Sequence, residues 1–256
     1  MITSLQNPKV KLVYALQTQA RARRKHNKLA LEGLRLIHDA LARGQMMPEL
    51  FLYDPEVFTD AAALDDLRGQ GAEILAVAPE VLRHISGTEH PQGVIGVFPL
   101  PRADLPDQPD TVLILDQIRD PGNLGTILRT AAAAGIGAVL LAPGCVDVHN
   151  PKVLRGAMGA HFRVPTVERD WAAISDYCAG CALYLADHPG EVRYDAVDWS
   201  GRWALIIGSE AHGASAEAEQ LAAARIYIPM AAGAESLNAA VAAGVILFEA
   251  RRAYWG

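Results

Sequence analysis

The chain has 256 residues, of which 51% are apolar, and a formal net charge of −6. This composition excludes a disordered chain and suffices for one large domain or two modest ones with real cores. Three cysteines, Cys145, Cys178 and Cys181, exclude a disulfide framework and fit a reducing cytoplasm.

The N-terminal stretch MITSLQNPKVK has no apolar signal core, so secretion is not expected. The longest apolar runs, such as Val245–Phe248, are far too short to cross a bilayer, and no membrane partner is expected. Residues 7–24 read as one helix, with Pro8 near its start and Val10, Leu12, Val13 and Leu16 on its apolar side. Its end carries Arg21, Arg23, Arg24 and Lys25, where cations suit the helix dipole. Residues 1–43 hold nine Lys and Arg against Glu32 and Asp39, an excess of +7 that leaves −13 on the remainder. That asymmetry fits a basic face for a polyanion, and equally a solvated charged helix.

Residues 28–32 alternate as a short strand. Gly33 then precedes a helix expected to turn Leu34, Ile37, His38 and Leu41 inward. Strands follow near 49–53 and 72–77 with a helix between them. Pro79 opens a short helix, 90–93 is a turn, and 94–98 is a strand. Residues 1–98 thus read as a small α/β domain. Residues 99–110 hold four prolines without helical periodicity and read as a linker.

The second domain, 111–256, opens on the continuous apolar run 111–115, typical of a buried parallel strand. A helix is expected over 124–134, capped by Asn123. Further strands fall at 138–142, 183–186, 203–207 and 225–230. Helices fall near 151–158, 170–179, 216–223 and 237–254. The alternation argues an α/β domain with a mostly parallel sheet covered on both faces, and the connection rules draw it as an open doubly wound sheet.

Several chemistries find no support. No Gly-x-Gly-x-x-Gly follows the first strand of this domain, and no Gly-Lys-Ser/Thr exists, so dinucleotide and phosphate-loop sites are not expected. The histidines show no metal-ligand spacing, and Cys178-x-x-Cys181 lacks the second pair that zinc requires, so no metal is expected.

Three strand-to-loop stretches carry the chemistry. Residues 113–130 read LILDQIRDPGNLGTILRT, 205–213 read LIIGSEAHG, and 225–249 read RIYIPMAAGAESLNAAVAAGVILFE. In the first, Arg129 lies six residues beyond Asn123, so its side chain leans back toward the helix start, an anion-friendly end. In the third, Ser236 and Asn238 stand at a helix start, where plain capping is the simplest reading. Together and in this order, the three stretches resemble the signature motifs of the SpoU/TrmH-type RNA 2′-O-ribose methyltransferases. The N-terminal part resembles that family's substrate-binding domain through Ser4-x-x-Asn7-Pro8, Glu32-Gly33 and His90-x-Gln92-Gly93.

The resemblance implies an enzyme that uses S-adenosylmethionine, an RNA substrate (ribosomal RNA first, transfer RNA as the alternative) and a deep trefoil knot in the second domain. It implies that Asn123, Arg129, Glu210, Ser236 and Asn238 line the catalytic pocket. It implies that Ala186, Gly208, Ile228, Met230 and Leu237 hold the cofactor. Arg155, in the family-like stretch 151–159, would meet RNA phosphate beside Arg21, Arg23, Arg24 and Lys25. It further implies a homodimer through the C-terminal domain, for which the small residues Ala239, Ala240, Ala242, Ala243 and Gly244 permit close helix approach. Two other classes stay open: a non-catalytic RNA-binding or assembly protein on the same fold, and a nicotinamide-dependent dehydrogenase, which the missing glycine fingerprint disfavours.

Overall fold

The computed structural model describes residues 1–43, 46–88, 90–209, 213–231 and 236–254. The first elements in chain order are α1 (Pro8–Thr18), α2 (Ala20–His26), β1 (Lys28–Glu32), α3 (Leu34–Ala42), β2 (Leu50–Tyr53), α4 (Ala61–Gly69), β3 (Glu73–Ala76), α5 (Pro79–Ile85) and β4 (Val94–Pro99). There follow β5 (Thr111–Leu115), α6 (Pro121–Ala133), β6 (Ala138–Leu141), α7 (Pro151–Ala157), β7 (Thr166–Glu168), α8 (Trp171–Tyr177) and β8 (Ala182–Ala186). The last are β9 (Val192–Arg193), β10 (Trp203–Ile207), α9 (Ala216–Leu221), β11 (Ala224–Tyr227) and α10 (Ala239–Ala250). These elements form two compact units, Met1–Arg102 with His149–Phe162, and Ala103–Val148 with Arg163–Gly256.

In the first unit the sheet order is β1-β4-β2-β3. The β1–β4 and β4–β2 pairs are antiparallel and β2–β3 is parallel. Side chains alternate across it, as the strand repeat of two requires. Ala30, Leu52 and Ile95 pack against Val13 and Leu16 of α1 and Leu82 and Ile85 of α5. Leu29, Leu31, Phe51 and Phe98 cluster instead with Ile37 of α3, Leu64 of α4 and Leu154 of α7. Segment 149–162, late in the sequence, therefore completes the core of the first unit. Gly33 has φ of 92°, and a Cβ there would lie 2.5 Å from Gln92 Oε1. The Glu32-Gly33 and Gln92-Gly93 motifs thus meet, and the positive φ of Gly33 is one that L side chains rarely adopt.

Local expectations needed correction here. The helix expected over 7–24 breaks at Gln19, whose backbone is extended (φ −129°, ψ 115°). The break lets Arg23, only 3% exposed, donate from Nη1 to the Leu16 carbonyl at 2.6 Å. That bond satisfies one of the unpaired carbonyls at the end of α1. Arg23 is therefore buried and engaged, not available to a polyanion. The phase of α3 also shifts: Leu36, Ile37 and Ala40 face the core while Leu34 and His38 are exposed.

The second unit holds a seven-stranded sheet of order β7-β6-β5-β10-β8-β11-β9, every described pairing parallel. The central strands β5 and β10 are buried along their whole length, which explains their uninterrupted apolar runs. Val112, Ile114, Ala204 and Ile206 pack with Ile174 of α8, the neighbouring Cys178, and Ala218 of α9. The expected linker is not free along its length: Leu105 packs against this cluster, and the carbonyls of Pro106 and Pro109 accept from Tyr177 Oη (2.7 Å) and Arg202 Nε (3.3 Å).

α6 and α10 lie side by side and run the same way. Gly244 faces Thr130 midway, and Arg251 Nε at the end of α10 donates to the Ala134 carbonyl at 3.1 Å. Ala239, Ala240 and Ala243 are buried within the chain. These small residues therefore serve intrachain packing, and they are not an open surface for a second copy. The outward face of α10 is instead Val241, Val245 and Phe248, which are 52%, 36% and 49% exposed. Among the described residues, no helix is long and apolar enough to cross a membrane.

Candidate active site

The site forms at the carboxyl ends of β8, β10 and β11, where open parallel sheets place their ligands. A cavity of about 260 Å³ lies there. Its lining includes Ala186, Gly208, Ile228, Met230 and Leu237, every cofactor-site residue expected from the sequence, together with Ser236. The parallel register explains the convergence. Ala186 pairs with both Ile207 and Ile226, so the loops after three strands leave the sheet at one level. Gly208 is fixed by crowding: a Cβ there would lie 3.1 Å from the Gly213 carbonyl and the Ala214 nitrogen. A side chain there would crowd the backbone of Gly213 and Ala214.

The loop after β10 is held from the first motif. Asp116, fully buried at the end of β5, accepts from Ser215 N at 2.6 Å, and its own N–H donates to the Ile207 carbonyl at 2.9 Å. Ser209 and Gly213 bridge the loop by mutual backbone bonds of 3.2 and 3.0 Å. Glu210, expected in the catalytic set, lies outside the described residues.

Motifs one and three meet directly. Asn238 is the N-cap of α10, accepting from the N–H groups of Ala240 (3.0 Å) and Val241 (3.3 Å). It also donates from Nδ2 to Asn123 Oδ1 at 2.9 Å. Its neighbours Leu237 and Ala239 both line the cavity. Plain capping is thus half of what Asn238 does, since its amide group uses the oxygen for the helix and the nitrogen for Asn123. Asn123 does not cap α6 as expected. Asp120 does, accepting from Asn123 N at 2.8 Å, because Pro121 takes the first helical position. The Asn123 side-chain oxygen instead accepts from Asn238.

The parallel α6 and α10 bring two helix N-termini to this point, where aligned peptide dipoles favour negative charge. Arg129 is exposed two turns into α6 and has no ion pair among the described residues. Arg119, just before the helix, donates to Gln117 Oε1 at 2.9 Å. Ser236 is exposed at the cavity rim. The arrangement therefore offers a largely apolar slot next to the Asn238–Asn123 pair, with Arg129 exposed further along α6.

Some residues here were not picked out from the sequence. Asp187 and His188 follow β8 and line the cavity, and Arg225 holds the Asp187 carboxylate at 3.4 Å. Their position directly after an apolar parallel strand was the available signal. Arg155, expected on RNA phosphate, is directed inward in the first unit. Its Nη1 stands 3.9 Å from Glu32 Oε2 and is itself buried. Arg21, Arg24 and Lys25 are exposed on α2. No group of His, Cys, Asp and Glu suited to a metal occurs among the described residues. Burial pushes the Cys178 thiol up to about 12 and that of Cys145 up to about 11, so both stay protonated and unreactive near neutral pH.

Residues 110–248 match the SpoU rRNA methylase family, and residues 7–96 match the MRM3-like substrate binding domain. The chain is 35% identical to the mitochondrial rRNA methyltransferase 3 of Mus musculus, over 90% of this chain and 68% of the mouse protein. It is 33% identical to the 23S rRNA (guanosine(2553)-2′-O)-methyltransferase RlmP of Bacillus subtilis, over 98% of each. It superposes on the AdoMet-bound rRNA methyltransferase of Sinorhizobium meliloti with a TM-score of 0.88 at 32% identity, covering 98% of this chain and 97% of that one. With both the motif geometry and these likenesses in agreement, the chain belongs to the SpoU rRNA methylase family.

Proposed function

We propose that this chain transfers a methyl group from S-adenosylmethionine to a ribose 2′-hydroxyl of ribosomal RNA. The observation that carries the reading is the Asn238–Asn123 hydrogen bond beside the cavity, which fastens the third motif to the first. The cavity suits an adenosine and its methionine arm. Ile226, Ile228 and Leu237 give apolar walls, Gly208 lets backbone come close, and Asp187 and Ser209 give polar edges. Bound S-adenosylmethionine supplies an electrophilic sulfonium methyl. The backbone of Gly208, Ile228, Met230 and Leu237 and the wall at Ala186 hold it in place. Asn123, Asn238 and Ser236 orient the ribose so that its oxygen lies in line with the methyl, which replaces a collision by a positioned reaction. Arg129 stabilises the developing alkoxide and anchors the adjacent phosphate. The proton leaves to that phosphate, to water or to Glu210.

In this reading residues 1–98 bind RNA, 99–110 link, and 111–256 carry the methyl transfer. Arg21, Arg24 and Lys25 are the phosphate contacts of the first part. The second part is knotted, a reading supported by β10, which enters the middle of the sheet between β5 and β8 after both are laid down. The protein works in the reducing cytoplasm, which its free thiols suit.

The test maps 2′-O-methyl groups in total RNA from a strain lacking the gene and from its parent. One ribosomal ribose should lose its methyl and regain it with the wild-type gene. A change confined to transfer RNA would overturn the substrate class, and no change in any ribose would overturn the chemistry.

The active unit is a homodimer through α10. Val241, Val245 and Phe248 recur at the helical spacing that aligns them on one exposed stripe. Light scattering at micromolar protein should give twice the chain mass, and Phe248→Asp, which puts a charge into that stripe, should give the monomer. A fully active wild-type monomer at that concentration would overturn the dimer.

A further inference from the structure

We propose that the exposed Tyr14–His84 pair of the first unit is a platform on which an unpaired RNA base stacks; the proposal rests on the RNA substrate inferred above. Tyr14 of α1 and His84 of α5 lie face to face, with ring centroids 4.7 Å apart and planes inclined by 8°. The other ring pairs among the described residues are inclined by 35° or more. Parallel stacking is the geometry a nucleobase continues, and every base has a π-face to offer. The pair sits at the surface: Tyr14 is 41% exposed, and His84 is exposed as well. A ring pair that only filled core volume would be covered.

The surroundings favour a polyanion. Residues 8–26, which span α1 and α2, contain no acidic residue. Lys11, three residues from Tyr14 and on the same exposed stripe, and Arg21, Arg24 and Lys25 are solvent-exposed, with no ion pair among the described residues. Other cations nearby are already matched, Lys9 to Glu73 and Arg83 to Glu80. An unengaged Lys11 beside a stacking surface, with further unengaged cations on the next helix, is the combination that single-stranded nucleic acid fits, the cations tracking phosphates and the rings taking a base.

The two contributions separate experimentally. Ring stacking releases no counterions, so losing a ring should weaken binding without changing its salt dependence. Losing a phosphate contact should reduce the magnitude of the negative slope of log affinity against log salt by about 0.7 for single strands. Fluorescence anisotropy with the full chain would use a labelled RNA hairpin with a single-stranded loop and a blunt RNA duplex of the same length. Tyr14→Ala and His84→Ala should each weaken hairpin binding by about tenfold or more at unchanged salt slope, and leave duplex binding and S-adenosylmethionine affinity unaltered. Tyr14→Phe and His84→Phe, which keep a ring, should bind the hairpin like wild type, and this separates stacking from a folding defect. Hairpin binding by the alanine variants within about twofold of wild type, well inside the effect of losing one stacked base, would overturn the platform while leaving the methyltransferase reading intact. A wild-type chain that binds neither RNA would overturn both.

Discussion

Arg129→Ala should lower single-turnover methyl transfer by about two to three orders of magnitude, the cost of removing a preorganised donor from a developing oxyanion. S-adenosylmethionine affinity, measured by titration calorimetry, should stay the same, because Arg129 is not among the residues lining the cavity. The physical case is electrostatic. A guanidinium is effectively always charged, so a role as the base that takes the hydroxyl proton would need an extreme fall in pKa. Arg129 is exposed on α6, the helix whose N-terminus meets that of α10, where an alkoxide or phosphate is already favoured. Arg129→Lys keeps the charge and loses the planar fork, so it should retain weak activity with no new pH dependence between about pH 7 and pH 9. Rescue of Arg129→Ala by added guanidines, with a rate that follows each guanidine's own pKa, would make Arg129 the base and sink the electrostatic account.

Glu32→Ala should destabilise the protein by about 3 kcal/mol, near the lower end of what breaking a buried charge pair costs. Glu32 is 8% exposed. Its carboxylate accepts from Ser86 Oγ, from Gly87 N at 3.0 Å and from Thr88 Oγ1 at 2.6 Å, with the Arg155 guanidinium 3.9 Å away. Alanine would leave those donors and a partly buried cation unsatisfied at once. Glu32→Gln, which keeps an acceptor and removes the charge, should lose less. Urea denaturation measures both. A Glu32→Ala midpoint equal to wild type would show that the clamp contributes nothing. Arg155→Ala separates the two readings of that arginine. As the partner of Glu32 it should lower stability and leave the salt slope of RNA binding unchanged. As a phosphate contact it would do the reverse.

The sequence by itself determined what is local or strictly periodic. The uninterrupted apolar runs at 111–115 and 203–207 gave strands buried on both faces, and they are the central pair of the seven-stranded sheet. The residues of the three motifs were picked out by their resemblance to a known family, since by local pattern alone Asn238 reads as a plain helix cap. Local signals erred where two neighbouring groups competed for one role. Asn123 and Asp120 both suit a cap, and Pro121 decided for Asp120 by its place in the first turn. In the same way Leu34 and Leu36 both suit a core face, and the approach of Gly33 to Gln92 accompanies the phase observed.

Only the tertiary structure decided what meets what. Asn238 and Asn123 are 115 residues apart in the chain, and their contact depends on α6 and α10 lying parallel. That in turn follows from a strand order no apolar pattern encodes, since parallel strands of similar composition offer interchangeable hydrogen bonds and faces. The same reason hid the place of α7. Its Leu154 fits any apolar core by composition, yet it is buried with Leu29, Leu31 and Phe98 of the first unit. Charge behaved likewise. Arg21, Arg23, Arg24 and Arg155 read alike as basic residues, but a carbonyl left open at the end of α1 draws Arg23 inward, and the buried Glu32 carboxylate does the same to Arg155. A side chain's type fixes what it can bond, while burial and the nearest unsatisfied partner fix what it does bond.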